Sequence, residues 1–387
     1  MRVSAYLLII VAFICGSLRA QEGTSLKDSG QYYYSNFQFQ RAIQVLEPDS
    51  GKTALEYHLL AKSYQKLGQD NDAKIAYQNA LKNDSSNVSY LNSFADFCRK
   101  KKEYSTAILT YKKLILLNPS NAYYYKKIAS TYLKTPYSFF AITAFENAIQ
   151  LNPKDEESKA LLVECYLEGG HIGNAEKLVQ SYLKEHPKNR NFIMQAIKIA
   201  YRLKDYEDVA SKCELFYTTG DSGLVVQKLH GIADYHLKEY ATAIQFIETV
   251  IKVDTKSEIL HYYLGLCYQD SGQTKKAAEF LEKAIDLGIS NNIDNYYTRL
   301  GTVYEELGNY EQSIQAYKIA YGKSKDKILL YHLARNYDVY YKDKTTALKY
   351  YQLYLEENDT TNELYFVFSK SRIQELKMAK HFDLDTL

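Results

Sequence analysis

Between Asn121 and Pro153 the apolar positions fall into two short helical patterns. Tyr125, Ile128, Ala129 and Tyr132 recur at i, i+3, i+4 and i+7. Ala141, Ala144, Phe145 and Ala148 repeat that spacing before Asn152-Pro153 ends it. Helices this short are marginal alone in water, so each must bury its apolar face against a neighbour. The chain supplies neighbours by repeating itself. Pro119, Pro153 and Pro187 lie 34 residues apart, and the same interval links Ala73, Ala107, Ala141, Ala175, Val209, Ala243 and Ala277. A two-residue insertion near Ser290 stretches the next step, to Ser313, to 36, and Ala347 follows at 34.

A fixed period of this length is the signature of a helical solenoid. Small residues on the first helix of each unit (Gly30, Ala61, Ala95, Ala129, Val163, Ile197, Gly231, Gly265, Gly301, Ala334) face the second-helix series, which begins at Ala42. Three residues after the first small site comes a tyrosine: Tyr33, Tyr64, Tyr132, Tyr166, Tyr268, Tyr304 and Tyr337. Four after the second comes a large residue, such as Leu46, Tyr77, Tyr111, Phe145, Leu281, Tyr317 and Tyr351. With these positions the chain resembles the tetratricopeptide repeat (TPR) family over nearly all of its mature length. The resemblance implies an all-α, right-handed superhelical solenoid of about ten helix-turn-helix repeats. It lacks the family's early tryptophan throughout, and its sixth and seventh repeats depart furthest. There Ile197 faces Val209, and Ala200 and Asp234 hold the tyrosine site. The glycine-bearing turn at 218–223 is the candidate hinge.

Three segments are expected: a signal peptide over 1–20, the solenoid over 21–361, and a C-terminal capping helix and tail over 362–387. The first twenty residues carry Arg2, an apolar run from Ala5 to Ile14 and a small-residue exit, the pattern of a secretory signal. Cys15 offers a lipoprotein alternative, although bulky Ile14 sits where a lipobox wants a small residue. In the last segment Leu364, Phe368, Ile373 and Leu376 mark an apolar face, with Lys370, Arg372, Lys377 and Lys380 on the outer side.

Charge then narrows the function. Losing Arg2 and Arg19 with the signal takes the formal net charge from +2 to 0, which argues against a nucleic-acid partner. Cys98, Cys165, Cys213 and Cys267 fall at helical, mostly inward sites and read as buried small hydrophobes. GDSGL at 220–224 is the protease nucleophile string without its β-barrel context, and GKT at 51–53 lacks the upstream glycine of a phosphate loop. The eight histidines show no metal-ligand spacing. The chain reads as a non-enzyme without cofactor or metal.

In the family, the concave groove is lined by first-helix residues pointing away from the second helix. Carried over, the resemblance implies a binding surface of Lys62, Lys66, Arg99, Lys100, Lys126, Lys134, Lys198, Tyr201, Arg202, Lys228, Tyr235, His236 and Tyr262. Glu157, Glu164, Glu168, Asp270, Glu305 and Glu306 make its acidic stretches. The basic stretch in repeats two to four suggests a clamp for a C-terminal carboxylate, but Asp96 and Ser130 occupy its asparagine positions. Tyr201 and Tyr235 come one residue after the usual tyrosine site, rotated about 100° toward the groove. The expectation is an exported, periplasmic or envelope-associated scaffold that binds a peptide segment or partner protein in the groove, with no membrane span. The alternative is a structural subunit of a bacterial envelope assembly, of secretion or cell-wall machinery, that binds by its convex face or ends. A third is a wall-glycan binder, with tyrosines stacking on sugars.

Overall fold

The computed structural model describes residues 29–48, 51–288, 291–356 and 362–384, with 380–384 as backbone alone. The signal segment, Cys15 and most of 21–30 lie outside the described residues. The chain divides into two compact units, Met1–Leu178 and Val179–Leu387.

In the first unit, helices alternate as a first and a second helix per repeat. They are α1 (29–35) and α2 (Phe39–Leu46), α3 (Ala54–Lys66) and α4 (Asp70–Asn83), then α5 (Val88–Lys100) and α6 (Tyr104–Leu117). α7 (Ala122–Tyr132) and α8 (Phe140–Leu151) follow, then α9 (Glu156–Glu168); α10 (Ile172–Glu185) contains the unit boundary. In the second unit come α11 (Arg190–Leu203) with α12 (Tyr206–Tyr217), and α13 (Leu224–His236) with α14 (Tyr240–Ile251). α15 (Glu258–Asp270) pairs with α16 (Thr274–Leu287), α17 (Ile293–Glu306) with α18 (Tyr310–Ser324), and α19 (Ile328–Tyr340) with α20 (Thr345–Glu356). α21 (Glu363–Leu384) follows α20 and packs on it.

The period carries local chemistry as well as apolar faces. First helices start at Thr53, Asn87, Asn121, Asp155 and Asn189, again 34 apart, and each of these side chains accepts a hydrogen bond from a backbone N–H of the first turn. At Thr53 the bond is half of a capping box closed by Glu56.

Every small site is buried, and where it is glycine the reason is steric. A Cβ on Gly265 would lie 2.6 Å from Leu281 Cγ, and one on Gly231 would lie 2.7 Å from Ile247 Cγ1. The large residue of the second helix therefore presses on the small residue of its own first helix. Ile197 and Val209 are both fully buried despite their bulk. The turn expected as a hinge is braced: Asp221 pairs with Arg190 and accepts the Gly223 backbone N–H at 3.0 Å.

The first-helix tyrosines do more than fill space. Tyr64 donates its hydroxyl to Glu47 (2.8 Å), Tyr166 to Glu146 (2.6 Å), Tyr268 to Glu248 (2.7 Å) and Tyr304 to Glu282 (2.5 Å). Each glutamate belongs to the preceding repeat, five residues after its second small site, so the bond is a strut between repeats. Burial and the facing carboxylate push the Tyr268 phenol up to about 12.

The capping helix sits about one residue's rotation from the face read in the sequence. Ile373 and Leu376 are buried as expected, but Leu364 is 80% exposed, while Tyr365 stacks on Tyr331 at 4.1 Å. Arg372, expected outside, turns inward to Asp338. A guanidinium gained more from a nearly buried carboxylate than from water.

Candidate functional site

In the first unit three of the six expected groove cations already have partners. Lys62 lies over the Tyr34 ring at 5.2 Å. Lys126 pairs with Asp155 at 2.9 Å and Glu157 at 2.7 Å. Arg99 approaches Asp96 at 3.8 Å, and Asp96 also accepts from Lys127 (3.2 Å) and the Tyr111 hydroxyl (2.7 Å). The clamp position thus holds its own carboxylate, where a ligand's would have to sit. Lys66 and Lys100 end their helices and Lys134 lies just past α7, so these three stand exposed at the edge formed by the turns.

Asp155 gives this arrangement a pH signature. Burial alone would raise its carboxyl, but Lys126 and the hydroxyl and backbone N–H of Ser158 hold it below its ordinary value. A depressed carboxylate lends stability that is complete above the unfolded-chain value of about 4 and is lost as pH falls through the lower folded value. Urea titrations below about pH 4 should therefore lose stability less steeply in a Lys126→Met variant than in the parent; equal slopes would discard this coupling.

In the second unit three of the expected residues, Tyr235, His236 and Tyr262, come together. Successive first helices α11, α13, α15 and α17 touch in turn, and on them aromatic rings form a continuous ladder. His236 stacks flat on Tyr206, with centroids 3.9 Å apart and planes 8° apart. It then reaches the Tyr263 hydroxyl at 3.4 Å. Tyr235 meets Tyr263 edge-on at 5.4 Å, Tyr263 meets Tyr262 at 5.9 Å, and Tyr262 stacks on Tyr296 at 4.4 Å. Tyr201 is half-buried against the core of repeats six and seven. Among the cations, Lys198 and Lys228 are half-buried and Arg202 exposed.

The electrostatics keep Tyr201, Tyr235, Tyr262, Tyr263 and His236 neutral. Burial raises the phenols of Tyr201, Tyr235, Tyr262 and Tyr263, with Asp270 adding to the shift at Tyr235. Burial, then nearby Lys204, lowers His236, so at neutral pH it is an uncharged imidazole. The surface offers ring faces, hydroxyl donors and one ring nitrogen. Tyr206 and Tyr263 join it from outside the expected set, and Tyr296, only 2% exposed, backs Tyr262 from the core. Tyr206 opens a second helix, and Tyr263 and Tyr296 lie off the expected groove positions, though the YY pairs at 262–263 and 296–297 are visible in the sequence.

Other chemistry is muted. The thiols are free and buried, and burial pushes Cys98, Cys213 and Cys267 up to about 12 and Cys165 up to about 11. Among the described residues no His, Cys, Asp and Glu side chains group as a metal site.

Sequence comparison places this geometry in a family. Tetratricopeptide repeat models match residues 57–87 and 141–207. The chain belongs to the tetratricopeptide repeat family. A further model, anaphase-promoting complex, cyclosome, subunit 3, matches residues 236–320 of this TPR protein. Among curated relatives is a TPR repeat-containing protein of Methanocaldococcus jannaschii, 25% identical over 187 residues, which cover 43% of this chain and 32% of the relative. The chain thus spans about a third of that relative's length. Similar solved structures include YrrB, a TPR protein with an unusual peptide-binding site (14% identity, TM-score 0.42, covering 49% of this chain and 96% of YrrB). Another is the Naa15/Naa10 complex bound to HypK-THB (15% identity, TM-score 0.47, covering 92% of this chain and 61% of that one).

Proposed function

We propose that this TPR protein is an exported, non-enzymatic scaffold that holds an extended segment of a partner protein along the first-helix face of its second unit. The aromatic ladder from Tyr206 to Tyr262, backed by the buried Tyr296, carries this reading. Rings already fixed by their neighbours lose little freedom on binding, and their hydroxyls can match the main-chain groups of an extended peptide. Export to a periplasm or envelope rests on the pattern of residues 1–20.

The test is affinity co-purification from the native envelope with the parent and with a Tyr201→Ala, Tyr235→Ala double variant of unchanged helicity. Truncating anchors of this kind costs about 2 kcal/mol or more each, so the partner should fall below detection. A second reading, binding by the end of the stack, is favoured by the outer side of α21, where Leu364 and Val367 are 80% and 58% exposed. A partner that survives the tyrosine variant but is lost with Leu364→Asp and Val367→Asp would replace the first reading with the second.

A further inference from the structure

The turn between the two helices follows one rule through the first nine repeats, with a single exception. Phe37, Gly68, Lys102, Gly170, Lys204, Lys238, Gly272 and Gly308 each adopt positive φ at corresponding positions. In repeat four that position is Pro136. The proline ring fixes φ near −65°, so the left-handed turn cannot form. The chain instead leaves α7 at Tyr132 and enters α8 only at Phe140, where the other eight of these repeats need two or three connecting residues. Among the connecting residues 133–139 are two aromatics. Tyr137 is 59% and Phe139 61% exposed, and Phe139 and Phe140 pack together at 4.1 Å. Phe140 is anchored on the buried Tyr132 at 5.4 Å, whereas Tyr137 and Phe139 face solvent, and exposed aromatics held at a helix turn mark a contact surface.

The same edge carries a row of cations. Lys66, Lys100 and Lys134 recur 34 residues apart at the ends of the first helices of repeats two, three and four, with Lys102 beside them. Repeat stacking sets them about 10 Å apart. All four are exposed, and none has an acidic partner among the described residues. The nearby acids are engaged elsewhere. Asp70 pairs with Lys101 at 2.5 Å, Glu103 pairs with Lys74 at 2.7 Å, and Asp72 faces the cleft beside Tyr64. Uncompensated positive charge therefore runs in a line that ends at an apolar knuckle.

We propose that this edge, Lys66, Lys100, Lys102 and Lys134 with Tyr137, Phe139 and Phe140, docks peripherally on an anionic lipid surface. The charge complementarity is of the kind that draws basic segments to acidic headgroups, and aromatic side chains settle at headgroup level. Exposed cations beside solvent-facing rings offer a lipid surface both charge for its headgroups and rings for its interface. No helix among the described residues is long and apolar enough to cross a membrane, so the contact is interfacial.

The chain has no tryptophan, so Phe139→Trp installs a single reporter at the knuckle of the otherwise intact mature chain. With vesicles containing phosphatidylglycerol its emission should move to the blue, and added salt should reverse the shift. Phosphatidylcholine vesicles should leave it unchanged. Adding Lys66→Gln, Lys100→Gln and Lys134→Gln should weaken association about fivefold per lysine, roughly a hundredfold together. These lysines are exposed, so the triple variant should fold as the parent does. No shift with either vesicle overturns the proposal and leaves a protein as the occupant of the edge. A shift that ignores lipid charge or survives the triple substitution overturns it as well.

Discussion

Arg372→Ala is expected to cost about 3 kcal/mol of stability, concentrated in the C-terminal helix. Arg372 grips Asp338 of α19 with two bonds, Nε to Oδ2 at 2.7 Å and Nη2 to Oδ1 at 3.1 Å. The Asp338 side chain is only 9% exposed, and it also accepts from the Tyr351 hydroxyl at 3.3 Å. The hydrogen bonds to Asp338 and Glu375 raise the guanidinium's already high pKa, so Arg372 stays charged at every working pH. Truncating one partner of a buried pair leaves the other charge without compensation, a loss of about 3–5 kcal/mol. The lower end applies because Lys344 Nζ remains 3.7 Å from Asp338. Arg372→Lys should recover part of the loss, since an ammonium keeps the charge without the fork. An Arg372→Met, Asp338→Asn double variant should be more stable than Arg372→Ala, because no lone carboxylate remains. Urea denaturation read with limited proteolysis at α21 measures all three. A change below about 1 kcal/mol for Arg372→Ala would reduce the pair to an ordinary surface ion pair.

Gly301→Val should be at least as damaging. A Cβ at Gly301 would stand 2.8 Å from both Cδ1 and Cε1 of Tyr317 and 3.0 Å from its Cζ. The ring cannot retreat, since it is fully buried and its hydroxyl is bonded to Thr302 at 3.1 Å and Glu305 at 3.3 Å. Nor can the backbone, because Ser313 donates to the Gly301 carbonyl at 2.8 Å. Overpacking of this kind costs about 1–3 kcal/mol for the first added carbon, and valine adds two more. Gly322, late in α18, has nothing within 4 Å of the place a methyl group would take. There alanine should stabilise by about 0.5–1 kcal/mol through a less flexible unfolded chain. Opposite signs for two helical glycines in one repeat, read by urea denaturation, would establish that the close crossing, not glycine content, sets the effect.

The fold was legible because its determinants are periodic. A small residue every 34 positions announces a close crossing whatever the surrounding sequence, and every such site from Gly30 to Ala347 proved buried. The site was legible only in part. Tyr235, His236 and Tyr262 are together, because their helical positions alone direct them to one face. Which cations remain available was not legible. Lys126 finds Asp155, 29 residues away, through rotamers that no spacing encodes. Arg372 turned inward for the same reason. Its partner Asp338 lies 34 residues back, on another helix.

The tyrosine–glutamate struts bear on how the array comes apart. In repeat proteins stability is a sum of each repeat's own stability and its couplings to neighbours. Struts join repeat one to two, four to five, and seven through eight to nine. The added coupling at these joints makes each strutted group of repeats open as one cooperative step rather than repeat by repeat.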